Sequence, residues 1–364
     1  MKSALTNATK DPLTSGKALL EARNLSVLFP TGRRRLRHRE WIRAVDNVKL
    51  SVMQGETLAI VGESGCGKTT LGRTLVMLQR PSTGEVFFDG RNLTPLRGGA
   101  LREARKRLQM IFQDPYSSLD PRQPVQDIVG EPLLIQGVEA EQRRQRVTEL
   151  LNLVGLGAEA AAGLPREFSG GQRQRIGIAR ALATHPSLIV CDEPLSALDV
   201  SIQAQIVNLL LKLQKQLSLT YLFISHDMAV VRQMASRVAV MYLGSIVELA
   251  ETSALFGAPR HPYTVALLVA VPTLAKRGAP EPSRVLLSGD PPSPVHVPSG
   301  CRFHTRCWLR ERLGNPERCA IETPALNQSS NHPVACHFDA LTVEHSAELL
   351  ARRTGAARAR EKAE

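Results

Sequence analysis

The sequence predicts an α/β fold: a mainly parallel sheet covered by helices on both faces, followed by a small C-terminal extension of different character. Three observations carry this expectation. Short apolar runs alternate with longer amphipathic segments, the pattern of strands buried between helices. One such run, residues 58–61, ends at a glycine-rich loop that opens a helix. Beyond Arg260 the texture changes: residues 278–300 hold six prolines, and four of the six cysteines fall in the last fifth of the chain.

Length and composition agree. A chain of 364 residues is long for one small domain, and 43% hydrophobic with 22% charged residues is ordinary for a folded protein. Collagen-like, wholly disordered and disulfide-dense chains are excluded. No stretch reaches the roughly 18 apolar residues of a membrane-spanning helix; the run at 265–271 stops at Pro272. Residues 1–17 are polar, lack the apolar core of a secretory signal and read as a flexible tail. A cytosolic address with reduced thiols is expected.

Taken in order, residues 19–30 and 44–52 read as strands, and 58–61 as a buried strand. A helix from Lys68 to Leu78 follows, then a strand at 84–89, a charged helix at 101–106 and a strand at 108–112. Residues 140–156 are helical, with Val147, Leu150, Leu151 and Val154 on one face. Helix 170–183, strand 188–190, helix 200–217 and strand 220–224 continue the alternation. Residues 238–242 and 245–249 form a pair joined at Leu243-Gly244. Six prolines make 278–300 an extended segment. A boundary is placed near residue 260.

Gly62-Glu63-Ser64-Gly65-Cys66-Gly67-Lys68-Thr69, followed by Thr70, fits G-x-x-x-x-G-K-[ST] at every fixed position. The strand before it and the helix after it supply the context a P-loop needs. Such a loop turns backbone N–H groups towards phosphates at a helix N-terminus. Lys68 is expected at the β/γ-phosphates and the Thr69 hydroxyl on Mg²⁺. Cys66 is read as a small filler of the loop. Ser187-Leu188-Ile189-Val190-Cys191-Asp192-Glu193 is an apolar strand ending in two acids. Charges at a buried strand end need a partner, so Asp192 is assigned to Mg²⁺ and Glu193 to the attacking water as general base. Cys191 is read as a core residue.

Those motifs alone describe a generic P-loop ATPase. Phe168-Ser169-Gly170-Gly171-Gln172-Arg173-Gln174-Arg175 resembles the signature of the ABC ATPases, and the resemblance narrows the fold to a P-loop NTPase core with a helical signature subdomain. It implies a second anion-binding end, formed by Ser169, Gly170, Gly171 and Gln172, presented to a nucleotide on another subunit in a head-to-tail dimer. It also implies roles for further residues. Gln113, in Phe112-Gln113-Asp114-Pro115, matches the Q-loop residue that touches Mg²⁺ and water; Asp199 lies in the D-loop match 196–199; His226 matches the switch histidine at the γ-phosphate. Phe29 sits where the family's adenine-stacking aromatic lies, with an apolar core role as the alternative.

Within the ABC ATPases, residues 112–122, Met241-Tyr242-Leu243-Gly244, Arg260-His261-Pro262-Tyr263-Thr264 and the tail 300–307 resemble the dipeptide/oligopeptide importer group, in particular its second, "F"-type ATPase subunit. The resemblance spans about residues 18–340. It implies a homologous second ATPase subunit, two membrane permease subunits, an extracytoplasmic substrate-binding protein and a place on the cytoplasmic face of the membrane. Nickel and glutathione importers of the same group remain alternatives, as, more remotely, does a nucleic-acid-linked ABC ATPase.

The tail cysteines, Cys301, Cys307, Cys319 and Cys336, are spaced C-x5-C-x11-C-x16-C, unlike the paired C-x2-C of a zinc ribbon. Four thiolates suit a [4Fe–4S] cluster or zinc; members with this tail resemble iron–sulfur proteins, so the cluster is the expectation, with zinc and no metal as alternatives. The net charge of +12 is concentrated in residues 33–43 and 352–362. With only 4% aromatic residues to stack bases, these arginine clusters are assigned to solvent or to anionic lipid rather than to nucleic acid. The expected organisation is thus a tail to residue 17, an ABC ATPase domain over 18–260, a cysteine-bearing importer domain over 261–342 and a basic flexible tail over 343–364.

Overall fold

The computed structural model describes residues 18–35, 38–270, 289–326 and 330–354. A long antiparallel hairpin comes first, β1 (Ala18–Arg35) and β2 (His38–Met53), pairing Val27 with Val45 and Phe29 with Ile42. Both strands outrun the expected 19–30 and 44–52, since the backbone ladder continues through an arginine-rich stretch that carries no apolar alternation. β3 (Thr57–Val61) and α1 (Lys68–Leu75) follow, then β4 (Thr83–Phe88), the two-residue β5 (Arg91–Asn92), α2 (Gly98–Lys106) and β6 (Leu108–Ile111). A helical block comes next: α3 (Pro115–Ser118), α4 (Val125–Ile135), α5 (Ala140–Leu153) and α6 (Gly170–Leu182). The chain then returns to alternation with β7 (Leu188–Asp192), α7 (Val200–Leu217), β8 (Thr220–Ile224), α8 (Met228–Met234), β9 (Arg237–Tyr242) and β10 (Ser245–Glu251).

These strands form two sheets. One is antiparallel, in the order β2-β1-β4-β5; the other runs β10-β9-β3-β8-β7-β6. In the second, β9, β3, β8, β7 and β6 are parallel and β10 is antiparallel to β9. Every residue of β3, β7, β8 and β9 is buried, as expected of parallel strands covered on both faces. The β9–β10 connection is the expected two-residue turn, with positive φ at Leu243 (42°) and Gly244 (80°), the backbone that matches strand twist.

Among the described residues, three apolar cores hold the layers together. Side chains of both sheets and of α1 share the first, including Leu25, Val45, Leu71 and Ile224. The helical block packs on the parallel sheet through Val129, Leu151, Ile176, Leu210 and Phe223. The third joins the sheet to the C-terminal part through Val240, Leu255, Tyr263, Leu268 and Phe303.

That C-terminal part holds α9 (Thr252–Gly257), α10 (Pro262–Ala270), irregular chain over 289–303, then α11 (Trp308–Arg312), α12 (Arg318–Ile321) and α13 (Asp339–Thr354). A buried carboxylate ties it to the sheet. Glu248 of β10, fully buried, accepts hydrogen bonds from Arg260 N (2.7 Å), His261 N (3.0 Å), the Thr264 hydroxyl and His332 Nε2 (2.6 Å). A carboxylate is stable in such a place only with partners of this kind. Residues 343–354, expected as part of a flexible tail, instead continue α13: Thr342, Ser346 and Leu349 are buried, and the helix packs on α10. The charge of the segment hides this short buried face. Of the arginine clusters, Arg43 pairs with Asp46 at 3.5 Å; residues 355–364 and the side chains of the other arginines lie outside the description, as do Pro280 and Pro282. Among the described residues no helix is long and apolar enough to cross a membrane.

Candidate active site

The parallel register sets the carboxyl ends of β3, β6, β7 and β8 along one edge, with Ile60 beside Ile224, Ile224 beside Asp192, and Cys191 beside Ile111. Ligand crevices in open α/β sheets lie outside that edge. Each strand delivers one part of the site: the loop 62–67 after β3, Gln113 after β6, Asp192 and Glu193 at the end of β7, and His226 after β8.

The loop needs its glycines. Gly62, Gly65 and Gly67 have φ of 155°, 78° and 107°, backbone that suits glycine. A Cβ at Gly67 would run into the Ala44 carbonyl oxygen and one at Gly62 into that of Met241, whereas one at Gly65 would meet open space. Gly65 therefore faces a free cradle. Cys66 is buried in the first core and burial raises its thiol pKa, in keeping with a filler; Cys191 is likewise fully buried. Lys68, almost wholly enclosed, donates to the carbonyls of Gly62 (2.9 Å) and Glu63 (3.0 Å) and lies 4.0 Å from Glu193 Oε1. Thr70 lends its carbonyl to the Thr74 hydroxyl within α1.

Asp192 is buried with 0% exposure; its Oδ1 accepts from the Thr69 hydroxyl at 2.9 Å, but its Oδ2 has no partner among the described residues. Burial raises its carboxyl pKa, opposed by the Thr69 bond and by Arg73. A buried half-satisfied carboxylate beside a hydroxyl fits a hard divalent cation such as Mg²⁺. Glu193 follows with φ 43°. Its Oε2 accepts from Gln113 Nε2 at 3.0 Å and lies 3.3 Å from His226 Nδ1. Glu193, Gln113, His226, Lys68, Thr69 and Asp192 thus meet at one place. Arg73, near Asp192, has no signal in the motif.

Ser169 caps α6: its N–H donates to Gln172 Oε1 (2.9 Å) and its Oγ accepts from Gln172 N (3.4 Å), a reciprocal cap. Gly171 lets α6 approach α7, where a Cβ would press on Ile202. Asp199 caps α7, accepting from Ile202 N and the Ser201 hydroxyl, which lower its pKa. Phe29 lies half-buried against the first core.

Among the described residues no group of three or more His, Cys, Asp or Glu is arranged to hold a metal ion. The four tail cysteines nevertheless line one small cavity of about 20 Å³, together with His304 and His337. Cys301 N donates to the Cys319 carbonyl at 2.9 Å. Burial pushes the Cys307 and Cys336 thiols up to about 12 and raises those of Cys301 and Cys319.

Two family models match the chain: "ABC transporter" over residues 45–196, and "Oligopeptide/dipeptide transporter, C-terminal region" over residues 247–312. The oligopeptide transport ATP-binding protein AppF of Bacillus subtilis is 48% identical over 327 residues, 88% of this chain and 98% of the relative. The dipeptide transport ATP-binding protein DppF of Escherichia coli is 44% identical over 324 residues, 89% and 95% of the two chains. Among solved structures, a bacterial ABC transporter cassette determined as a dimer matches with a TM-score of 0.58 and 30% identity, over 64% of this chain and 98% of that one. The cassette cbiO1 of Clostridium perfringens, part of an ABC transporter complex, matches at 0.57 and 25%, over 66% and 90%. With its phosphate loop, paired acids and capped signature helix in place, the chain belongs to the ABC ATPases, among the ATP-binding subunits of the oligopeptide and dipeptide transporters.

Proposed function

We propose that the chain hydrolyses ATP to drive uptake of dipeptides or oligopeptides. In this reading it pairs head-to-tail with a homologous second ATPase subunit on the cytoplasmic face of the membrane, beneath two permease subunits served by an extracytoplasmic binding protein. The meeting of Lys68, Thr69, Asp192, Glu193, Gln113 and His226 at one sheet edge carries the reading. The match over residues 247–312 supports the peptide class.

The chemistry follows from these residues. Lys68 exchanges the carbonyls of Gly62 and Glu63 for phosphate oxygens, and the N–H groups from Ser64 to Thr70 surround the phosphates. Phe29 stacks on the adenine. Thr69, Asp192 and Gln113 would hold Mg²⁺, which neutralises phosphate charge when bound. Glu193, set by Gln113 and His226, takes the proton of the attacking water; His226 donates towards the γ-phosphate. Catalysis is then positioning and charge neutralisation. Ser169, Gly170, Gly171 and Gln172 serve the nucleotide of the second subunit, and Asp199 sits at the same junction. Proteoliposomes holding the assembled transporter test the cargo. ATP-dependent uptake of labelled di- to hexapeptides, lost in Glu193→Gln, is expected; hydrolysis without uptake of any of them would contradict it.

The four cysteines are assigned to a [4Fe–4S] cluster, supported by their lining one common cavity. Bound there, the cluster would staple the proline-rich segment to the sheet. Zinc suits the thiolates less specifically. Anaerobically purified protein should absorb near 400 nm, as iron–sulfur thiolate clusters do, and contain iron and acid-labile sulfide; folded, colourless, iron-free protein would overturn the assignment.

A further inference from the structure

The residue after the first P-loop glycine is held from outside the ATPase core. Arg306, in the short turn just before Cys307, makes a two-pronged ion pair with the Glu63 carboxylate: Nη1 to Oε2 at 2.8 Å and Nη2 to Oε1 at 3.1 Å. The guanidinium is 5% exposed and also donates to the Tyr242 hydroxyl at 3.4 Å. Tyr263, from α10, accepts the Glu63 N–H at 2.7 Å, and its ring packs 4.7 Å from that of Tyr242. Lys68 closes the remaining side through the Glu63 carbonyl. Carboxylate, N–H and carbonyl of one loop residue are therefore each fixed, two of them by the C-terminal part of the chain.

We propose that Arg306 and Tyr263 are positioning residues for the phosphate loop, so that the cysteine-bearing extension sets the affinity of the chain for ATP. The reason is conformational. Three residues of the loop sit at positive φ and its cradle is open at Gly65, so an unsupported loop has many arrangements to lose on binding. A buried bidentate arginine–carboxylate pair fixes both distance and angle. Holding Glu63 on three sides removes much of that ordering cost before ATP arrives, and preorganisation of this kind appears in affinity. Both side chains bond to Glu63, and Arg306 also to Tyr242, and the chemical step is assigned to Glu193. The inference rests on ATP binding by this chain, whose failure would show in the unsubstituted protein.

The test is ATP affinity of the full-length chain by calorimetry, with KM and kcat from the same preparations. Arg306→Gln and Glu63→Gln should each weaken ATP binding and raise KM by about 5- to 50-fold, with kcat at saturating ATP within about twofold. The double variant should be no weaker than either single one, because both break the same link. Tyr263→Phe, which removes only the acceptor for the Glu63 N–H, should weaken binding in the same sense. Should Arg306→Gln fail to fold, Glu63→Gln and Tyr263→Phe decide. Unchanged ATP affinity in both, or losses that multiply in the double variant, would overturn the proposal.

Discussion

Asp192 has one oxygen bonded to Thr69 and the other enclosed without a partner among the described residues. A carboxylate in that state weakens the nucleotide-free fold, since burying charge without full hydrogen bonding costs free energy. Asp192→Asn should therefore leave the nucleotide-free protein at least as stable, to within about 1 kcal/mol, while Mg²⁺-dependent hydrolysis falls by about 100-fold or more. Thermal melts with and without MgATP check both halves: the stabilisation that bound nucleotide confers on the unsubstituted chain should vanish. A variant melting far below the unsubstituted chain without nucleotide would show that Asp192 is a structural group.

At the scale of single elements, the loop between β3 and α1 converts sequence into site most directly. Gly67→Ala places a Cβ against the Ala44 carbonyl and Met241, at φ 107°; Gly65→Ala meets only open space at φ 78°. Backbone strain alone costs about 1–3 kcal/mol, so Gly65→Ala should fold with a modest loss and Gly67→Ala should lose clearly more in urea unfolding. The reverse order would contradict this packing. The same loop was fully legible in the sequence, because its chemistry lies in consecutive residues between a buried strand and a helix. Asp192 and Glu193 were legible for the same reason. His226 and Gln113 needed the family resemblance, since a lone histidine or glutamine after a strand carries no spacing signal. Helix α4 leaves no clear helical signal because Gly130 and Pro132 lie within it, and the charge of α13 hides its buried face. Arg306 and Glu63 are 243 residues apart, and no local pattern marks such a pair.

For the molecule as a whole, the junction between sheet and extension is a buried polar knot rather than a flexible hinge. His261, fully enclosed beside Glu248, has its pKa pushed down to about 4, by burial first and against the pull of Glu248. The unfolded chain binds that proton below about pH 6.5 and the folded chain does not. Stability should thus fall as pH drops from about 6.5 towards 4, by about 3 kcal/mol in total, and level off below. His261→Asn, which keeps an acceptor for Tyr263 N, should lose much of that slope in denaturant unfolding at stepped pH. An identical slope would move the acid sensitivity to another group. This junction also carries Tyr263 to the phosphate loop, so extension and ATPase core act as one unit.

The most direct test of the account concerns Glu193, the acid on which Lys68, Gln113 and His226 converge. Steady-state ATP hydrolysis by the assembled transporter should fall by roughly 10²–10⁴-fold in Glu193→Gln, with ATP affinity retained. Hydrolysis at the unsubstituted rate in that variant would contradict it.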